Sequence, residues 1–597
     1  MRKFYFFIAV ALSMVLMSGC EKSKEESAAK EEVVQQKSEA KGGNKDVFVK
    51  ATYGTVRTLD PAVAYDTSSG MRLYNLYECL IEFDGESTEN FRPLLATKVP
   101  TVANGGISKD GKTYTFEIRS GVKFHNGDIM TPEDVEYSIE RGMVVDQEGG
   151  PSWMMLEAVT GYGGTREDGK IIPGVFKKIL DAVKVDGNKV VISLPAAYPP
   201  LMGIMQYTSN SIVSKKWAIA NNAWDGKLES AEKFNGPDFN KEPLQNIENG
   251  TGAYKLKNWE KSSEFVFERF DDYWGPKPAI KTAIVKYVPE WTTRKLMLQN
   301  GDADIVTIDN TYYPEVKDMP GLKIHLVPQL SVSMAFMNQK INMTANPDVG
   351  SGKLDGNGIP SDFFKDLNVR KAFQHAVDYR AMKEDVGNGL IENPRSPNVI
   401  GLPYVKDVPL PAFDLEKAAA YMKKAHGGKV WQNGFQMTIT HNTGNTLREA
   451  AAMMMAENIS SLNPKFKIEV RNVEWKDYTV KYRQGLYPIF IIGWGADYPD
   501  PHNFLYTFMH SNGAYGKHMG VKYDDVDKLC DQGIQNADPE IRRKVYYELQ
   551  DIWVERALAV GVYQPVLIKA YRDNVTGFIP NPMFSDAYDL LKLMKKN

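Results

Sequence analysis

The chain predicts an α/β fold, and three observations carry that prediction. Strand-like segments of period two alternate along the chain with helical segments of period 3.6, instead of being gathered into separate blocks. Helical segments open on recognisable caps, such as Thr131-Pro132-Glu133-Asp134. Ile489–Ile492 is a short, wholly apolar run between Pro488 and Gly493, which suits a strand buried on both faces. At 597 residues the chain exceeds one hydrophobic core, so two or three domains are expected. The 43% hydrophobic and 25% charged residues supply material for large cores. A formal net charge of −3, with no arginine-rich patch, argues against a nucleic-acid partner. Three cysteines exclude a disulfide scaffold; Cys79 and Cys530 could bridge, but two buried thiols are the favoured reading.

Taken in order, the chain opens on Arg2-Lys3 and the 14-residue apolar run Phe4–Met17, which has the form of a secretory signal. Leu16-Met17-Ser18-Gly19-Cys20 resembles a lipobox, so residues 1–20 read as a lipoprotein signal peptide with Cys20 the lipidated residue. An ordinary cleaved signal would place the chain on the same side of the membrane. Residues 21–46, charged at half their positions, read as a flexible tether. Val47–Tyr53 is the first strand, and a helix is expected around Ser69–Leu80. Tyr114–Arg119 alternates as a half-buried strand, and Lys189–Leu194 is another. Further strands follow at 249–256, Phe265–Phe270, Ala303–Ile308 and Ser331–Asn338, with a helix at Arg294–Gly301. Residues 341–362, rich in Gly, Asp, Asn and Pro, read as an irregular surface insertion. Val369, Ala372, Phe373, Ala376 and Val377 mark one helix face, and a second helix spans Asp414–Gly427. Thr446-Leu-Arg-Glu449 reads as a capping box, Lys467–Val473 as a strand, and Asp538-Pro539 as the start of a last helix.

Gly106–Thr113 matches the P-loop pattern, but its lysine and threonine lead into a strand where phosphate binding needs a helix N-terminus. It reads as a turn. No HExxH, GxSxG or CxxC is present, and Asp524-Asp525 falls in what reads as a solvated polar loop, so an enzyme, for instance a secreted peptide hydrolase, is disfavoured. The stretch of greatest interest is Tyr487–Phe508. A buried strand there delivers Trp494 and Asp497 to its carboxyl end and then dissolves into Pro499-Asp500-Pro501. That arrangement suits an α/β ligand crevice, although spacing alone also allows Asp497 to be a loop or helix cap. His502, His510 and His518 follow at spacings of eight and are weak candidates for metal ligands.

The chain resembles the family 5 extracellular solute-binding proteins, the receptors of oligopeptide, dipeptide and nickel ABC importers. The resemblance is carried by Leu76-Tyr-Glu-Cys-Leu80, Asp110–Arg119, Val122–Gly127, Thr131–Val135, Asn249-Gly-Thr-Gly252, Asp272-Tyr-Trp-Gly275, Gly301–Ile305, Val369-Arg-Lys-Ala372 and Gly493-Trp-Gly-Ala-Asp497. Cys79 and Ala253 depart from the family's usual glycine and proline, and 341–362 looks inserted. The resemblance implies a two-lobed periplasmic-binding-protein fold (type II, cluster C) with an extra third domain. Lobe I would comprise 47–78, 209–328 and 561–597, the extra domain 79–208, and lobe II 329–560. It further implies a non-enzymatic, monomeric receptor without cofactor, lipid-anchored outside the cytoplasm, which captures peptides and hands them to a permease and its ATPase subunits. A nickel or metal-chelate receptor is the alternative within the family. By the same resemblance Asp497 would pair with a ligand's α-amino group beside Trp494, with Tyr498 a further contact. Ile491 stands where some relatives place the arginine that holds a ligand carboxylate, so that arginine is left unassigned.

Overall fold

The computed structural model describes residues 44–597 except 168, 521 and 585–588. Cys20 and residues 21–43 of the expected tether lie outside the described residues. Among the described residues, one sheet of twelve strands organises the chain. One half contains Phe466–Val473, Phe435–Asn442, Ile489–Gly495 and Ser331–Met337; the other contains Ile305–Val306, Val47–Thr52, Thr282–Tyr287, Glu264–Arg269 and Tyr254–Glu260. The long strand Ala559–Arg572 joins them. Its first part pairs with Ser331–Met337 (Ala335↔Val560) and its second with Leu322–Pro328 (Leu322↔Arg572), all antiparallel. The chain therefore crosses between the two lobes at Gln329-Leu330 and, beside it, at Gln564-Pro565. The crossing is hydrogen-bonded, Gln564 Nε2 donating to Gln329 O at 2.9 Å and Gln329 N to Pro565 O at 3.1 Å.

Within each lobe, parallel strands are connected through helices, as parallel pairing requires. Thr446–Ser461 links Phe435–Asn442 to Phe466–Val473, and Trp291–Asn300 links Thr282–Tyr287 to Ile305–Val306. The apolar run at 489–492 is buried on both faces, as its sequence predicts. Ile489 and Ile491 enter one core with Ala335 and Met337, while Phe490 and Ile492 enter another with Val332, Met334 and Phe336. Phe336 and Phe490 stack across the two strands at 5.3 Å.

The third domain carries an antiparallel sheet of Thr113–Glu117, Lys189–Ser193 and Val183–Asp186, with helices Pro132–Val145, Trp153–Thr160 and Val175–Ala182. It shares one continuous core with the first lobe, since Phe48 and Leu76 belong to the same cluster as Phe116 and Val190. A buried ion cluster fastens the join: Arg141 Nη1 donates to Asp60 Oδ1 at 2.7 Å and Nη2 to Glu242 Oε1 at 3.0 Å. The P-loop look-alike is a turn, with Gly111 at φ 68° and Thr113 opening the strand. The Thr131–Asp134 capping box is present, Thr131 N donating to Asp134 Oδ2 at 2.8 Å.

Several expectations need correction. The first helix is Thr67–Leu76, capped by Asp66, and does not reach Leu80. It stops because Gly250 and Gly252 press against its last carbonyl: a Cβ on Gly250 would lie 2.0 Å from Leu76 O, and Gly252 N donates to that oxygen at 2.9 Å. This close approach accounts for the glycines of the Asn249-Gly-Thr-Gly252 block. Asn445, not Thr446, caps its helix, its side chain accepting from Arg448 N. Asp524 and Asp525 begin the helix Asp524–Ile534, where their charge suits the N-terminal dipole, and Asp525 pairs with Arg556. Residues 341–362 are irregular but not merely superficial, because Ile341, Val349 and Ile359 are buried in the second lobe's core and Asp348 pairs with Arg471 at 2.6 Å. Cys79 and Cys530 are separate, buried thiols.

Candidate functional site

The carboxyl ends of the two half-sheets meet. Strand Ile489–Gly495 releases the chain into Ala496-Asp497, and strand Val47–Thr52 releases it into the irregular segment that ends at Tyr65. Tyr65 Oη donates to Asp497 Oδ2 at 2.7 Å and itself accepts from Trp153 Nε1 of the third domain at 3.1 Å. All three parts of the molecule thus converge on one carboxyl group. Asp497 is only 7% exposed. Burial pushes its pKa up to about 7 against the ordinary 3.8, a rise that hydrogen bonds from Tyr65, Asn503 and Tyr207 partly oppose. Among the described residues no lysine, arginine or histidine forms an ion pair with it.

Asp500, three residues on, has the opposite environment. Both its carboxylate oxygens accept from Arg542 Nη2 at 2.8 Å, and Oδ1 also accepts from His502 N at 2.9 Å. Asp500 therefore stiffens the loop that presents Asp497, while Asp497 is left with neutral partners. A buried carboxylate without a counter-charge costs several kcal/mol when ionised, so the arrangement favours the arrival of a cation.

Trp494 and Asp497 are coupled through Asn503. The Asn503 Oδ1 accepts from Trp494 Nε1 at 2.9 Å and from Asp497 N at 3.2 Å, while its Nδ2 lies 3.4 Å from Asp497 Oδ2. The half-buried indole also packs edge-on against Tyr515 at 5.6 Å. Tyr498 is fully buried and turned toward the third domain, its ring 6.1 Å from Trp153. Its Cβ would lie 3.3 Å from a Cβ on Gly203, so the close seating of this loop depends on that glycine.

The sequence left the carboxylate-binding arginine unassigned, and the structure supplies a candidate. Arg448 lies in the first turn of the helix Thr446–Ser461, at the carboxyl end of strand Phe435–Asn442. Among the described residues its guanidinium donates to neutral acceptors, Ser333 Oγ at 3.2 Å and Asn442 Oδ1 at 2.7 Å. It lies over Gly493, where a Cβ would come within 2.6 Å of its Nη2. Tyr65, Trp153 and Tyr207 were also missed, because they sit in irregular or third-domain segments that no local motif marks. An arginine in the first turn after a strand was the only available signal for Arg448.

The three histidines do not gather into a ligand set. His502 Nε2 donates to Glu157 Oε1 at 3.0 Å, His510 Nδ1 accepts from Asn512 N at 3.0 Å, and His518 lies edge-on to Tyr482. Tyr506 stacks between His502 and His510, at 4.8 and 4.5 Å. Among the described residues no group of three or more His, Cys, Asp or Glu is placed to hold a metal ion.

Comparison with known proteins follows the same lines. The family model "Bacterial extracellular solute-binding proteins, family 5 Middle" matches residues 90–516. The dipeptide-binding protein of Escherichia coli K12 is 26% identical over 535 residues, covering 87% of this chain and 88% of that one. Heme-binding protein A of Haemophilus influenzae is 25% identical over 600 residues, covering 97% of each. The solved structure of the periplasmic binding protein DppA from Helicobacter pylori, in complex with the peptide STSA, superposes with a TM-score of 0.69. It is 22% identical, over 92% of this chain and 98% of that one.

Proposed function

The chain belongs to the family 5 bacterial extracellular solute-binding proteins, and from that membership we propose that it is a receptor for short peptides serving an ABC importer. The observation that carries the reading is Asp497, a buried carboxylate without a cationic partner among the described residues, where both lobes and the third domain meet. A peptide's α-ammonium group supplies the missing charge through a charge-assisted hydrogen bond. Trp494 holds Asn503, and Asn503 orients the carboxylate, so the indole acts on the ligand through the loop as well as by its face. Arg448 takes the ligand's terminal carboxylate. Gly493 and Asp497 are four residues apart, which limits their separation to about 14 Å, so the two charges suit a peptide of about two to four residues.

Lobe I as 47–78, 209–328 and 561–597, lobe II as 329–560 and the extra domain as 79–208 are part of the same proposal. The ligand, touching both lobes, shifts the population toward the closed form by its differential affinity. A permease with its ATPase subunits receives the peptide, and Cys20, lipidated, holds the receptor at the membrane surface. The names of the curated dipeptide-binding relative and of the peptide-bound neighbour support the peptide class over a metal chelate.

Titration calorimetry with Ala-Ala and Ala-Ala-Ala, their N-acetyl forms and their C-terminal amides tests the reading. Saturable binding of the free peptides and loss on N-acetylation is the expected result. Equal affinity for acetylated and free peptides, or release of hydrolysis products in the cell, would overturn it. Arg448→Met should weaken the free acids about tenfold or more and leave the amides within about twofold.

A further inference from the structure

Tyr65 is anchored on both sides of its place in the chain. Upstream, Asp60 closes a turn, its side chain accepting from Ala62 N at 2.9 Å and its carbonyl from Ala64 N at 3.0 Å, while Arg141 Nη1 holds the Asp60 carboxylate at 2.7 Å. Downstream, Asp66 caps the helix Thr67–Leu76 through Ser69 N at 2.8 Å. Residue 65 is the one step between an ion-locked turn and a capped helix, which fixes the direction in which its ring leaves the backbone. A third restraint comes from Trp153, the first residue of the helix Trp153–Thr160, behind Ser152, whose Oγ donates to Gly142 O at 2.6 Å.

The Tyr65 hydroxyl is used twice. An indole N–H can only donate, so Oη accepts from Trp153 Nε1 at 3.1 Å and directs its own proton to Asp497 Oδ2 at 2.7 Å. A hydroxyl that accepts one hydrogen bond is polarised into a stronger donor of the next. Asn503 Nδ2 reaches the same oxygen at 3.4 Å, and Oδ1 receives neither bond. A hydrogen bond donated to a carboxylate favours its charged form, which is the form an ammonium group requires. Among the described residues the titratable groups facing Asp497 are phenols: Tyr65 and Tyr74 from lobe I, Tyr207 from the third domain and Tyr498 on its own loop. Asp66 stands beside Tyr207, and Glu157 and the Arg542-paired Asp500 beside Tyr498. Burial first, and then neighbouring groups that include the Asp497 charge, hold all four phenols well above their ordinary value. Of Asp497 and these phenols, only Asp497 changes charge near neutrality.

We propose that Tyr65 is a positioning residue for ligand recognition and that Trp153 acts through it: the indole aligns the phenol, and the phenol turns Asp497 Oδ1 toward the incoming ammonium and holds the carboxyl in its charged form. Trp153 belongs to the third domain, Tyr65 to the first lobe and Asp497 to the loop after the second lobe's strand, so the relay is complete only where all three parts are in contact. Recognition of the ammonium is thereby tied to the arrangement of the domains. The inference rests on the peptide-receptor reading and adds to it the groups that prepare its carboxylate.

The test is calorimetry of the full mature chain with Ala-Ala-Ala in buffers of different ionisation enthalpy, which counts the protons released on binding. With a pKa of about 7, Asp497 carries about half a proton at pH 7 and gives it up to pair with the ammonium. Without the Tyr65 hydroxyl the carboxyl should hold its proton about one pH unit higher, so Tyr65→Phe should release about 0.3–0.5 proton more than wild type at pH 7. Its loss of affinity should be about fivefold larger at pH 7 than at pH 9, the ligand's own titration being common to both proteins. Trp153→Phe should move both quantities the same way by a smaller amount. The double variant should match Tyr65→Phe, because Trp153 acts only through the phenol. An affinity loss equal at both pH values with an unchanged proton count makes Tyr65 merely structural and refutes the inference while the peptide reading stands. A further effect of Trp153→Phe in the Tyr65→Phe background also refutes the relay. Failure of wild type to bind the peptide, or equal binding of its N-acetyl form, removes the peptide reading and the inference together. The proton count of Trp153→Phe decides the question even if Tyr65→Phe does not fold.

Discussion

Asp497→Asn should weaken binding of free-amine peptides by about 30- to 1,000-fold, the roughly 2–4 kcal/mol lost when one partner of a desolvated ion pair becomes neutral. N-acetylated peptides should distinguish wild type from variant hardly at all. The same substitution should stabilise the ligand-free protein at pH 8. In the folded protein the carboxyl has a pKa of about 7, above the ordinary 3.8 that it regains on unfolding. The folded chain then holds a proton that the unfolded chain has given up, so the contribution of this group falls as pH rises from about 3.8 to 7. It is fully present at lower pH and gone above 7. Asparagine has no proton to lose. The variant's melting temperature should therefore exceed the wild type's by a few degrees at pH 8 and match it near pH 4, as scanning calorimetry at the two pH values would show. Ligand affinity of the wild type should move the other way, strengthening from pH 5 to 8 as Asp497 ionises. A pH-independent affinity, or a variant that binds peptides as wild type does, would remove Asp497 from the site.

The second large effect is expected at Arg542. Its guanidinium lies buried on Asp500, donates Nε–H to Gly533 O at 3.0 Å and meets Tyr546 Oη at 3.1 Å. Burial alone would lower the pKa of Arg542, but the Asp500 charge outweighs it and holds the group above its ordinary value. Arg542→Met leaves Asp500 a buried carboxylate without its counter-charge and should cost about 3–5 kcal/mol of stability. Adding Asp500→Asn removes that charge and should restore at least half of the loss. Urea denaturation of wild type, single and double variants measures this. A single variant within about 1 kcal/mol of wild type would show that the pair is not what fixes the loop.

Much of this molecule could be read from its residues. Ile489–Ile492 declared a doubly buried strand because four apolar side chains in a row have no solvent face to occupy, and both cores receive them. Asp497 was legible as a carboxylate at a strand's end. Its lack of a counter-ion was not, because that depends on where Arg542 and Arg448 fall after folding, one on Asp500 and the other over Gly493. The first helix was read too long, since its end is set by Gly250 and Gly252 arriving from far along the chain. Tyr65 and Trp153 were invisible for the same reason: Tyr65 meets Asp497 from 432 residues away and Trp153 holds Tyr65 from another domain, and no local periodicity records such a meeting.

The strand Ala559–Arg572 belongs to both halves of the large sheet. A fragment that stopped before residue 559 would strip Ser331–Met337 and Leu322–Pro328 of a neighbour at once, exposing two rows of unsatisfied backbone groups ready to recruit other chains. Neither lobe can therefore be excised as an independently soluble module, and during synthesis both must wait for the strand that begins at Ala559 before either half of the sheet is finished.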